Sequence, residues 1–163
     1  MKTDYKVRAE KFAHVLVKLF EDCEDVNDFY QAVSEYKRSH RCAMKIDNGV
    51  SRVAIMRSDY VIKFHRRQDF RDFAGDSYSE RKVYEKAVAD GYEYLLAETT
   101  LMNVDGVEIA IMPRIRHIGN TNLWNCTTPK ERAWIRENID DLHSGNFGRR
   151  GNKVCIVDYA WAC

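Results

Sequence analysis

Apolar positions between residues 5 and 40 fall at helical spacing. Val7, Phe12, Val15, Leu16, Leu19 and Phe20 recur on one side with charges between them, which predicts an amphipathic helix. A shorter second helix is expected over residues 26–36, opened by Asp25 or Asn27 as its cap. From Cys42 the period changes to two. Residues 43–46, 53–56 and 60–64 read as strands, separated by turns at Asp47-Asn48-Gly49 and Arg57-Ser58-Asp59, so a three-stranded antiparallel meander is expected. Helical spacing returns over 77–90, with Tyr78, Val83, Tyr84, Ala87 and Val88 on the apolar side and Gly91 as the stop. Residues 95–102 and 107–112 read as a hairpin turning at Asn103-Val104-Asp105-Gly106, with Pro113 ending its second strand. Thr127 or Thr128 and Pro129 open a helix through about Asn138. Residues 141–148 are expected to be loop, 149–152 a turn, and 154–157 a short buried strand.

With 163 residues, 45% hydrophobic and 12% aromatic, the chain can build one domain with a real core, or two small lobes. The 26 basic and 25 acidic residues leave a net charge of +1. Such a balance is not that of a dedicated nucleic-acid or membrane-surface protein. No apolar run approaches a membrane span, and Met1-Lys2-Thr3-Asp4 does not resemble an export signal. A cytoplasmic setting is therefore expected, with Cys23, Cys42, Cys126, Cys155 and Cys163 as free thiols, since none forms a close C-x-x-C pair. No repeat or low-complexity segment is present.

The chemistry concentrates late in the chain. Asp141-Leu142-His143-Ser144-Gly145-Asn146 is followed twelve residues later by Asp158, at the end of the apolar run Val154-Cys155-Ile156-Val157. A carboxylate to orient a hydroxyl, then an amide and a second carboxylate for a hard divalent cation, are what phosphoryl transfer asks for. Each residue alone is more often a turn or cap; the three together in this order are not. Lys63 lies in a strand where alternation puts it with Val61 on the inward face. A buried ammonium needs a partner, and Glu80 on the next helix is preferred to Glu85. Gly49 and Ser51 sit where a phosphate-covering loop would lie, with Gly49 able to supply positive φ; an ordinary hairpin turn fits equally well. Arg52 or Ser51 could replace missing backbone contacts there. His143 reads as an orienting group in its loop, and His14, His40, His65 and His117 as surface or core residues.

These residues resemble the catalytic core of the protein-kinase-like superfamily. The histidine after Asp141-Leu142 is similar to the aminoglycoside and choline kinase branch. The whole Asp-x-His-Ser-Gly-Asn form most resembles small phage-encoded Ser/Thr protein kinases, which act on host proteins. The likeness runs from about Ala43 to Trp161. It implies an α+β fold: a five-stranded antiparallel N-lobe with one main helix over residues 42–113, a minimal C-lobe over 114–163, and a helical extension over 1–41 before them. It also implies ATP and Mg2+ as cofactors and a host protein as partner, in the host cytoplasm. Asp141 would be the catalytic aspartate, Asn146 and Asp158 the magnesium ligands, Lys63 the phosphate-binding lysine and Glu80 its partner. Gly49, Ser51, Val53 and Met112 would complete the nucleotide site, with Val53 and Ile62 roofing the adenine and Ile111, Met112 and Pro113 forming the hinge.

The chain departs from that pattern in several places. Ile139-Asp140 precedes Asp141 where His-Arg or His-Gly is usual, so a phosphate-reading arginine is missing. Tyr159-Ala160 replaces Phe-Gly. Only 28 residues separate Met112 from Asp141, and five follow Asp158, which leaves little room for an activation segment or a peptide platform. Three functions follow in order: a minimal ATP- and Mg2+-dependent Ser/Thr protein kinase; a kinase-like protein without turnover that binds and inhibits a host protein; and a small-molecule phosphotransferase.

Overall fold

The computed structural model describes residues 4–49, 52–65, 75–117, 123–140 and 142–159. The fold is α+β, with a five-stranded antiparallel sheet, a smaller three-stranded sheet and four α-helices among the described residues. The chain divides into two compact units, Met1–Gly75 with Thr100–Arg114 and Asp76–Thr99 with Ile115–Cys163. No described helix is long and apolar enough to cross a membrane. Cys23, Cys42, Cys126 and Cys155 are free thiols; Cys163 lies outside the described residues.

The first unit opens with α1 (Tyr5–Glu21) and α2 (Val26–Ser39). Asp4 caps α1 by accepting from the Lys6 N–H at 3.1 Å. Asp25 caps α2 by accepting from the Asn27 and Asp28 N–H groups. The helices are followed by β1 (Lys45–Asn48), β2 (Arg52–Met56), β3 (Tyr60–His65), β4 (Thr100–Val104) and β5 (Val107–Pro113), in sheet order β1-β2-β3-β5-β4.

Val53, Ile55, Tyr60, Ile62, Phe64, Ile109 and Ile111 form one core cluster with residues of α1 and α2. At its centre Phe20 of α1, Phe29 of α2 and Phe64 of β3 stack with ring centroids 5.1–5.7 Å apart. Tilted and edge-on contacts of this kind add to the burial of three large rings. The N-terminal helices are thus fastened to one face of the sheet.

Two strand boundaries differ from expectation. Asp47 and Asn48 belong to β1, paired with Ala54 and Val53, and the turn falls later. Residues 95–99 do not join β4; a 3-10 turn covers Glu93–Leu95, and Leu96 makes only an isolated bridge to Ile156. The β4–β5 turn is carried by Asp105 and Gly106, with φ of 51° and 88°, the left-handed pair that a tight hairpin requires.

The second unit holds α3 (Gly75–Asp90), β6 (Arg116–His117), α4 (Pro129–Asn138), β7 (Phe147–Arg150) and β8 (Lys153–Ile156). Thr128 and Glu131 form a reciprocal capping box at the start of α4, so two donors of its first turn are satisfied. Trp134 ties α4 to α3 by donating from Nε1 to Asp90 Oδ2 at 2.8 Å, and its ring stacks on Tyr92 at 5.3 Å. β6, β7 and β8 make the small sheet. β6 was not foreseen, since a two-residue strand carries no period to read, and β7 falls where loop and turn were expected, its ladder set by pairing with β8.

Candidate functional site

In the second unit, α4 ends at Asn138 and the chain turns through buried Ile139, whose N–H bonds back to the Ile135 carbonyl at 2.9 Å. Asp141, expected as the catalytic carboxylate, lies outside the described residues. Beyond it the loop is organised by His143. Its Nδ1 accepts from the Gly145 N–H at 3.1 Å and its carbonyl accepts from the Asn146 N–H at 2.9 Å. Gly145 is confined by this ring: a Cβ there would lie 2.9 Å from His143 Cε1. His143 is therefore a positioning residue within its loop.

Asn146 is delivered by that loop to the mouth of the β7–β8 hairpin. The register pairs Phe147 with Ile156, and the next step is a bond from the Val157 N–H to the Asn146 carbonyl, 2.7 Å. Asn146 is thereby one position from facing Asp158. Asn146 is buried and Asp158 half-buried. The backbone bond thus joins Asn146 to Val157, the residue before Asp158. Their donor set, an amide oxygen and a carboxylate, fits Mg2+, which takes one or two protein oxygens and completes its shell with phosphate and water. Among the described residues no group of three or more His, Cys, Asp or Glu converges to hold a metal.

Tyr159 anchors the segment that carries Asp158. It is 1% exposed. Its hydroxyl lies 2.9 Å from Thr99 Oγ1 and donates to the Ala97 carbonyl. Burial, and then the nearby Glu80 carboxylate, push the phenol well above its ordinary range, so it stays neutral and keeps donating. This anchoring was not anticipated; the signal was a large polar-tipped ring directly after the acidic residue. Cys155, in β8, is pushed up to about 11 by burial, which makes it an inert thiol at neutral pH.

On α3, Glu80 is 0% exposed, whereas the Glu85 side chain is 46% exposed and pairs with Arg81 at 3.0 Å and Lys82 at 3.4 Å. Five residues along a helix turn about 140° around its axis, so the two carboxylates cannot share a face. Glu85 lies on the surface of α3, paired with Arg81 and Lys82.

In the first unit Lys63 is 7% exposed. It sits in β3 opposite Ala54 of β2 and Ala110 of β5, small residues that leave room beside its stem. Directly opposed residues share a face, and so do residues two apart. Lys63 therefore shares its face with Val61, Met112, Ala54, Arg52 and His65, the last two being a cross-strand pair. Arg52 and His65 are buried as well. This grouping of three basic side chains was only partly visible beforehand. Arg52 was named for the loop, but His65 was read as a surface or core residue although it follows Lys63 by two.

The same parity corrects Val53 and Ile62. Both lie in the cluster with α1 and α2, on the opposite face from Lys63, so neither can roof a ring held beside that lysine. Ala54 and Val61 are the residues of β2 and β3 that share the face of Lys63. Ile111 is held between Ile62 and Thr100, which leaves Met112 and Pro113 as the exit from the strand.

Gly49 is not in the left-handed region; among the described glycines positive φ occurs at Gly91, Gly106 and Gly151. Its N–H donates to the Arg52 carbonyl at 2.9 Å, so it closes the β1–β2 turn. Ser51 lies outside the described residues.

No protein-family model matches the chain, and no curated protein and no solved structure matches it.

Proposed function

We propose that the chain is an ATP- and Mg2+-dependent phosphotransferase acting on Ser/Thr hydroxyls of a host protein, of the kinase-like class that its catalytic-loop sequence resembles. One observation supports the reading most: the 2.7 Å backbone bond from the Val157 N–H to the Asn146 carbonyl sets Asn146 one position from facing Asp158 at the open end of the β7–β8 hairpin. The buried face that carries Arg52 and Lys63 supports it, because a triphosphate demands concentrated positive charge. In this reading Asn146 and Asp158 would hold the metal, Lys63 would hold phosphate oxygens, and Asp141 would accept a hydrogen bond from the substrate hydroxyl. Bound Mg2+ would neutralise charge on the phosphates. The protein's part is positioning: Tyr159 fixes the backbone at Asp158, and His143 fixes the turn that presents Asn146.

The test is transfer of labelled γ-phosphate in host lysate. Wild type is expected to label protein, and Asp158→Ala to lower labelling on the order of 100-fold or more, since several kcal/mol of charge stabilisation leave with the metal. Absent labelling by wild type, or equal labelling by both, sinks the reading.

The Gly49 geometry favours a second reading, a kinase-like protein that binds and inhibits a host protein without turnover. An N–H already given to Arg52 is withdrawn from any phosphate. ATP with Mg2+ separates the two: a nucleotide site raises the melting temperature, by about 2.7 kcal/mol of stability at a hundredfold excess over Kd, and no shift favours the inhibitor.

A further inference from the structure

A groove of about 700 Å³ lies between α2 and β1, wholly within the first unit. Lys37, Arg38 and Arg41 line its helix side and Lys45 its strand side, and no acidic side chain lines it. Among the described residues none of these four cations forms an ion pair. Tyr30, Met44 and Ile46 supply apolar surface in the same groove.

The end of α2 adds an independent observation. His40 is its C-cap, and the chain leaves by paired bonds from the Cys42 N–H to the Lys37 carbonyl (3.0 Å) and from the Arg41 N–H to the Arg38 carbonyl (3.4 Å). This is the Schellman arrangement, whose left-handed residue is usually glycine. Here that residue is Arg41, at φ 49°. A side chain in this conformation costs about 1 kcal/mol, so backbone economy does not explain it. Attraction of cations to a helix C-terminus accounts for Lys37 and Arg38. It does not account for Lys45 across the groove.

β1 is the edge of its sheet, paired among the described residues with β2 alone. An unpaired edge offers alternating donors and acceptors to an extended chain. We infer that this groove docks an extended acidic segment of a partner polypeptide. The segment adds alongside β1, sets carboxylates against Lys37, Arg38 and Arg41 on the helix side and against Lys45 on the other face of the strand, and covers Tyr30, Met44 and Ile46 with apolar side chains. A polypeptide fits better than a nucleic acid. The strand edge reads backbone amides, Tyr30 is the one aromatic ring lining the groove, and the chain's net charge of +1 gives no extended positive field. The inference uses the first unit alone and does not depend on phosphoryl transfer.

Fluorescence anisotropy of the full chain tests it, with a labelled peptide of about ten residues alternating Glu and Val, the length of a long strand. A thymidylate oligomer of equal length is the second probe. Arg41→Gly suits the left-handed backbone, so it keeps or raises the melting temperature while removing one charge; Lys45→Glu reverses another. The peptide is expected to bind wild type and to prefer it to the oligomer. Arg41→Gly should weaken binding about 5-fold, a typical value for one exposed pair, and Lys45→Glu at least tenfold. No binding of the peptide, equal affinity for wild type and both variants, or preference for the oligomer would each overturn the proposal.

Discussion

Ile62 and Lys63 are neighbours in the chain and occupy opposite faces of β3, one against the N-terminal helices and the other beside Ala54 and Ala110. The alternation that placed Lys63 with Val61 was legible in the sequence. Applied one residue further, it would have kept Ile62 off the face of Lys63 and brought His65 onto it. The irregular stretch after α4 was legible too, because Gly145 and Asn146 are local turn signals. What the sequence did not show is how the loop holds itself, since a histidine accepting from an N–H two residues on leaves no periodic trace. That contact gives a specific expectation. Gly145→Ala drives a methyl group into the His143 ring and should destabilise by about 1 kcal/mol, read by urea denaturation. Adding His143→Ala removes the obstruction, so the double variant should be no less stable than His143→Ala alone, a coupling that a double-mutant cycle reports directly.

Among the elements, α4 was read from Thr128 and Pro129 with its observed bounds, because a cap and a first-turn proline are chemical signals. β1 was misread because Asp47-Asn48-Gly49 looks like a turn; cross-strand pairing with Ala54 and Val53 overrides that local preference. The apolar run after Glu93 was read as strand, yet its side chains serve burial and the ladder begins only at Thr100. β6 also explains Gly148. Paired with His117, Gly148 lies so close to β6 that a Cβ would fall 2.2 Å from the Arg116 carbonyl oxygen. Backbone cannot yield there as a flexible side chain can, so Gly148→Ala should cost about 3 kcal/mol, the upper end for overpacking, measured by loss of thermal stability. A melting temperature equal to wild type would show that β6 is not held against β7.

At the scale of the molecule, the second unit concentrates acids whose neutral form folding favours. Burial holds the Tyr84 phenol above its ordinary value, burial and then Glu131 push Tyr94 up to about 12, and burial raises Tyr159 and Cys155 as well. In the first unit Tyr60 is raised, again by burial first. A raised value means the unfolded chain loses its proton first as pH rises. The stabilisation is therefore complete below the ordinary phenol value and is lost from about pH 10 towards about pH 12 for Tyr94. Melting followed by the fluorescence of Trp124 and Trp134, both in this unit, should drop between about pH 10 and pH 12, and Tyr94→Phe should lessen the drop.

The two units are also interleaved along the chain, since each is built from two separate stretches. During synthesis the first sheet cannot receive β4 and β5 until α3 has already left the ribosome, and α3 must then wait for everything after Ile115. Neither half can be isolated by cutting the gene once. A stop codon after Arg114 would complete the sheet yet strand α3 without α4, leaving the Trp134 contact surface bare and the truncated product prone to clump.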